Sequence, residues 1–503
     1  MFLRQIFASV VMFALLFATP AGAQDRANGI PHWAQQSNQP IVPQLAPAVK
    51  PGPLTLPDLF HLQIPAPQPQ LTAAELEDLY HQVWEAVGNN YHTPSALKDW
   101  GKWDHKYDGQ LKTGDDLEKA LQDMLASLND RWTEYISSSA IAQARADAKA
   151  GIVDLGLMLK QQSDGSYRID YLMYGSPAQK SDLRKGDIVK TAAGKTLKGM
   201  SPNDVEKLLK GKDGTKITIV YADSGKDVSI DLTCAATPAA VVEHKLLPGN
   251  IGYVRLPDFG SETTIATFMA AVQDLDTQAG GKLEGIVFDL RGNPGGQFQL
   301  AIFVSSLFLE KGTIVTGTTR SGRLVTHTTY DVIPVLAHTV TNPPSDVDKV
   351  VKILQTKPLS VLTDGSTASA AEIVTGALKD NGRAVIIGGT TYGKGVGYNR
   401  FNLPTGGVLL ITSLDYLTPS GFNLSNKGIQ PGIAVDQPRG SKVDEQLNAG
   451  VKSVKDQILN PVKKNSTNGS KSIDIDDLRH VLRISILCLL VLLVINLRRS
   501  RLR

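Results

Sequence analysis

Ser369 and Lys394 are the two residues of this chain whose types and spacing suit covalent chemistry. Ser369 stands in the small-residue turn Ser366-Thr367-Ala368-Ser369-Ala370, and Lys394 lies between Gly393 and Gly395. The stretch around them, Pro358 to Tyr398, reads as a buried strand (Leu359 to Leu362), a helix (Ala370 to Lys379) and a second strand (Ala384 to Ile387). A serine at the mouth of a helix lies where backbone N–H groups point outward without partners. That suits an oxygen that turns negative during acyl transfer, with the N–H of Ala370 as a first donor. Lysine in water is a poor base, with a pKa near ~10.4, but burial disfavours the ammonium and lowers that value by several units. Lys394, in TTYGKGVGY, has only uncharged neighbours, and its glycines let the backbone approach another strand closely. The pair predicts a serine–lysine hydrolase in which Ser369 attacks and Lys394 is the base. None of the nine histidines falls between Pro358 and Tyr398, and no G-x-S-x-G elbow surrounds Ser369. Ser366 is a rival nucleophile, and His327 or His338 would be rival bases only if folding delivered them.

The segment resembles the signature of the carboxyl-terminal processing peptidases, or tail-specific proteases. Their nucleophile lies in an S-A-S-E turn followed 25 positions later by a G-K-G lysine; here the turn is Ser369-Ala370-Ala371-Glu372 and Lys394 has that spacing. The blocks DLRGNPGG (Asp289 to Gly296), YLTPSG (Tyr416 to Gly421) and KGIQP (Lys427 to Pro431) fall in the family's order, and the likeness spans roughly residues 71 to 450. The resemblance implies an α/β fold: a crotonase-like peptidase core with an inserted PDZ domain and an N-terminal helical cap. It assigns a second oxyanion donor to Gly295. It also matches Asp380 to an aspartate sometimes given a charge-relay role. An unbroken helix rises about 16 Å over the eleven residues from Ser369, so Asp380 reads instead as part of a helix C-terminus. Many relatives carry glutamine four residues after the lysine, where this chain has Tyr398.

The elements that position these residues follow from the rest of the chain. At 503 residues and 42% hydrophobic content there is material for several cored domains, and a formal charge of +3 gives no basic surface for nucleic acid. Met1 to Ala23, with Arg4, an apolar run from Val10 to Phe17 and Ala21-Gly22-Ala23, reads as a secretory signal. Residues 24–70 are rich in proline and glutamine and read as a linker. Residues 71–150 form a helical region, opening at Thr72 as N-cap with Glu75 three later, with a second helix from Gly114 to Leu128. Only Cys234 and Cys488 occur, so neither a disulfide nor a zinc site of Cys/His spacing is expected, and no cofactor or metal is implied.

Residues 151–233 resemble a PDZ domain, which binds a peptide by adding it as a strand while backbone N–H groups hold its terminal carboxylate. By position, Leu155, Gly156, Leu157 and Met158 would be the carboxylate loop and the accepting strand. The core spans 240–440, with Ile251 to Leu256 and Gly285 to Leu290 as strands and Thr263 to Ala279 as a helix. The near-unbroken apolar run of Gly285 to Leu290 suits a strand covered on both faces. A short helix and polar linker (441–480) lead to the apolar stretch 481–497 and a basic end, which read as a membrane anchor with its terminus cytoplasmic.

The combined expectation is an endopeptidase that cuts exported proteins near their carboxyl ends, held on the periplasmic side of the inner membrane. Its partners would be proteins or peptides with exposed C-termini, with an adaptor or a second copy of the chain left open. A membrane-tethered PDZ adaptor with an inactive core is the rival from another class, and an esterase or amidase a third.

Overall fold

A computed structural model of the chain describes residues 71–237, 241–334 and 343–461. The expected signal (1–23), linker (24–70) and membrane segment (481–497) lie outside the described residues, as do His338 and Cys488. Among the described residues no helix is long and apolar enough to cross a membrane.

The catalytic candidates sit on a six-stranded sheet. Glu243–Leu247 pairs antiparallel with Ile251–Arg255, and Gly285–Asp289, Leu359–Thr363, Val385–Gly388 and Ile433–Ala434 follow in parallel. Every residue of Gly285–Asp289 and Leu359–Thr363 is buried. The reason is that both faces are covered. Val254, Ile286, Phe288, Val361 and Ile386 pack under helices Glu262–Gln278, Phe298–Phe308, Val347–Thr356 and Ala370–Asp380. The alternate residues Val287, Leu362 and Ile387 face Val454 on the helix Glu445–Leu459. The period of two thus divides one apolar run between two layers.

A second sheet joins Glu134–Ile136, Val408–Leu417, Thr313–Ser321 and Leu324–Asp331, with Val396–Asn402 on the other side of Val408–Leu417. It receives the N-terminal helices: Leu79, Val83, Leu117 and Leu121 share a core with Phe401, Leu409 and Ile411. The first of these helices, Ala73–Asn90, opens with the expected box, in which Thr72 and Glu75 exchange hydrogen bonds. The helical region is therefore built onto the C-terminal strands of the core, roughly 270 residues away in sequence. Residues 152–233 supply an antiparallel layer in the order Leu157–Gln161, Tyr167–Leu172, Ile188–Ala192, Lys216–Asp223 and Lys226–Thr233. They also supply the short helix Pro202–Leu208. The strand Leu157–Gln161 is an edge of that layer.

Candidate active site

Ser369 ends the turn after the strand Leu359–Thr363 and stands at the N-cap of the helix Ala370–Asp380. Its φ of 55° and ψ of −119° lie in a region that non-glycine residues avoid, a strain on the order of 1–3 kcal/mol that the surroundings must hold. They hold it from two sides. The Ser369 N–H donates to Glu372 Oε2 at 2.9 Å. The loop Gly292–Gly296 lies so close that a Cβ on Gly295 would sit 2.7 Å from Ala368 O and 2.8 Å from Ala370 N. With φ of 96°, position 295 requires glycine on both counts. The turn is thus a strained elbow without the G-x-S-x-G wording.

Glu372 organises the site, and sequence reasoning gave it no role. Fully buried, its carboxylate accepts from Ser369 N, from Thr391 Oγ1 at 2.5 Å, from Gly393 N at 2.7 Å and from Lys394 N at 2.8 Å. One anion therefore fastens the serine turn to the lysine loop. Burial pushes its pKa up, against the four donors that pull it down. Thr391 Oγ1 accepts in turn from Ile429 N at 2.7 Å, drawing in the KGIQP block. That block passes so near that a Cβ on Gly393, whose φ is 91°, would meet Gly428 N at 2.9 Å.

The Lys394 side chain is buried, and its Nζ has no hydrogen-bond partner among the described residues. Nζ lies 3.8 Å from the centre of the Trp132 ring and 5.0 Å from that of Tyr398. Burial, reinforced by the charge of Arg131 and opposed by Glu372, Asp130 and Glu134, pulls the ammonium down to about 7. The neutral amine expected from the local sequence thus depends on burial in the fold and on the charge of Arg131, 263 positions upstream. No hydrogen bond joins Nζ to Ser369 Oγ in this arrangement. Tyr416 lies between the two loops: its hydroxyl donates to Lys394 O and reaches the Ser369 side chain. Tyr398 offers the lysine its ring, not a hydrogen bond.

The lysine loop also meets the small β layer. Tyr392 Oη donates to Asp170 Oδ2 at 2.6 Å, Arg131 pairs with the same Asp170 at 2.6 Å, and Lys185 Nζ donates to Tyr392 O at 3.0 Å. Helical cap, β layer and core therefore converge here.

The remaining candidates divide. Ala370, as first residue of its helix, has no intrahelical acceptor for its N–H. Gly295 is beside the serine as expected, but its N–H donates to Asn293 Oδ1 at 2.8 Å. Asn293 also donates to Leu256 O and accepts from Ala368 N through its carbonyl. Asp380 lies at the far end of the helix, where its carboxylate accepts from Thr418 Oγ1 at 2.5 Å and Ser420 N at 2.9 Å. It ties the helix end to the YLTPSG loop. Ser366 makes turn contacts with Asp364, and His327, on the exposed strand Leu324–Asp331, bonds Thr318 on the neighbouring strand. Leu157 and Met158 open the edge strand, but the N–H groups of Leu155 and Gly156 are already donated to Leu209 O and Asp154 Oδ1. The amides of the single-glycine loop are thus already engaged, where a carboxylate-holding loop needs free ones.

Glu372, Trp132 and Asn293 left little trace in the sequence. Glu372 stood within the quoted turn, but its four donors come from two loops that only folding unites. Trp132 follows the second helix with no periodicity to mark it.

Comparison with known proteins places the chain in a family. The family model described as Peptidase family S41 matches residues 250–435. The chain is 33% identical over 328 residues to the carboxy-terminal-processing protease of Bartonella bacilliformis, covering 65% of this chain and 71% of that one. It is 29% identical over 341 residues to the carboxy-terminal processing protease CtpA of Bacillus subtilis, covering 67% and 68%. Among solved structures, the photosystem II D1 C-terminal processing protease superposes with a TM-score of 0.58 at 27% identity, over 72% of this chain and 93% of that one. With its mixed α/β fold and its strained serine turn, the chain belongs to peptidase family S41, the carboxy-terminal processing proteases, and is a serine-type peptidase.

Proposed function

We propose that the chain is an endopeptidase that cuts exported proteins near their carboxyl ends, with Ser369 as nucleophile and Lys394 as general base. The observation that carries this reading is the lysine: a buried amine without a hydrogen-bond partner among the described residues, whose backbone N–H shares one carboxylate with that of Ser369. In turnover the amine leaves the Trp132 face and accepts the Ser369 proton as Oγ attacks the substrate carbonyl. The oxyanion forms against the helix N-terminus at Ala370, with the glycine loop at Gly295 as the second wall. The amine then passes the proton to the leaving nitrogen, and water releases the acyl group from Ser369.

The small β layer is read as a PDZ domain on a crotonase-like core. A substrate tail adds as a strand along Leu157–Gln161, where the layer has an edge. The engaged amides of Leu155 and Gly156 support side-chain and strand recognition over carboxylate capture. Export to the periplasmic face of a membrane is part of the same proposal and rests on the terminal segments. An intact buried lysine disfavours the inactive-adaptor reading.

The test is cleavage of an unfolded reporter together with covalent labelling by a serine-reactive phosphonate. Ser369→Ala should abolish both, and Lys394→Ala should abolish both while retaining the fold. Labelling or cleavage that persists in Ser369→Ala would end the assignment.

A further inference from the structure

Away from the peptidase site, one tight group of metal-capable side chains stands out among the described residues. The nearest ligand atoms of His81, His105 and Asp108 all lie within 4.8 Å of one another. His81 is on the helix Ala73–Asn90, Asp104 caps the short 3-10 turn Trp100–Trp103, and His105 and Asp108 follow it. The Tyr80 hydroxyl, donating to Trp103 O at 2.7 Å, fixes that turn against the helix.

The four side chains close a ring. His81 Nδ1 lies 3.1 Å from Asp104 Oδ1 and its Nε2 3.2 Å from Asp108 Oδ1. His105 Nδ1 lies 2.9 Å from Asp108 Oδ2 and its Nε2 3.5 Å from Asp104 Oδ2. All four imidazole nitrogens thus face carboxylate oxygens. A neutral imidazole has one N–H and one lone pair, so with two neutral rings two of these contacts would set lone pair against lone pair. Two positive charges relieve that conflict, either as two protons or as one divalent cation at His81 Nε2, His105 Nδ1 and Asp108, with the remaining N–H of each ring donated to Asp104. The 3.2 Å edge from His81 Nε2 to Asp108 Oδ1 is close to the separation of roughly 3.3–3.6 Å between ligands of a tetrahedral ion with bonds of about 2.0–2.2 Å.

We propose that His81, His105 and Asp108 form a binding site for a divalent transition-metal ion, zinc foremost, that fastens the first helix of the cap to the turn after Trp103, with Asp104 orienting both rings from behind. Paired imidazoles and carboxylates suit zinc, and cobalt or nickel as substitutes. The ion enters from solvent, since the His105 side chain is 74% exposed and that of Asp108 47%, and water completes its coordination. Lys106, the nearest cation in sequence, turns away onto the Trp103 ring at 3.8 Å.

The experiment uses the untagged full chain, stripped with a chelator and titrated with Zn²⁺ by calorimetry and Co²⁺ by visible absorption. One equivalent should bind, Co²⁺ should show ligand-field bands, and the melting temperature should rise with Zn²⁺. His105→Ala should keep the metal-free melting temperature, because that side chain is mostly in water, yet bind at least about tenfold more weakly, roughly 1.4 kcal/mol. His81→Ala should weaken binding likewise, and peptide cleavage by both metal-free variants should match the unsubstituted chain. Absence of saturable Zn²⁺ binding, or equal binding by wild type and both variants, overturns the site.

Discussion

Arg131→Gln should move the acid limb of the peptidase pH profile upward. The Arg131 guanidinium lies 4.4 Å and Lys394 Nζ 3.8 Å from the same Trp132 ring centre, so the two charges are within about 8 Å. At an effective permittivity of ~20 that separation is worth about 2 kcal/mol, or roughly 1.5 pH units. The Arg131 side chain is 34% exposed and paired with Asp170, which reduces the effect to roughly 0.5–1 unit. The sign follows from the active form. A lysine base works only when neutral, and removing a nearby positive charge makes protonation easier, so the limb moves up from about 7. The Asp170 carboxylate, freed of its partner, pushes the same way, and Arg131→Gln with Asp170→Asn should return part of the shift. The assay is kcat/KM for a peptide from pH 5.5 to 9.5, with melting temperature as control. Cleavage should fall several-fold at pH 6.5 and hardly change at pH 9. A limb that stays in place, or moves down, in a folded Arg131→Gln protein would refute the link between this charge and the base.

Further consequences concern the same residues. Lys394→Met should end turnover yet stabilise the fold at pH 7 by on the order of 3–5 kcal/mol. The native lysine binds fewer protons than the unfolded one between about 7 and 10.5. Wild-type stability should therefore rise with pH across that window and flatten in the variant, as denaturant titrations at pH 7 and 9.5 would show. Glu372→Ala strands several buried donors at about 1–3 kcal/mol each, so a large drop in melting temperature and loss of phosphonate labelling are expected. Gly295→Ala forces a methyl to within 2.7 Å of Ala368 O; it should lose most of its activity and about 1–3 kcal/mol of stability. Asp380→Ala removes two hydrogen bonds remote from the serine, so cleavage should persist while stability falls by roughly 1–3 kcal/mol.

Local pattern carried much of the architecture. Ala370–Asp380 and Leu359–Thr363 appear within a residue or so of the expected helix and strand, because small residues open the helix and Leu359, Val361 and Leu362 fill a doubly covered strand. The Thr72 box was legible for the same reason: its partners are three residues apart. The spacing of Ser369 and Lys394 also pointed to one site, and the fold ties both backbones to one carboxylate. What no window of sequence held was the environment of the amine. Trp132 and Arg131 arrive from the cap, Asp170 and Lys185 from the β layer, and Glu372 finds its donors only once two loops meet. Residue types and short spacings settle which groups can react, since propensity and periodicity act over a few neighbours. Whether a lysine is neutral, and where its nitrogen rests, depends on desolvation and charge delivered through space, and those are properties of the packed chain alone.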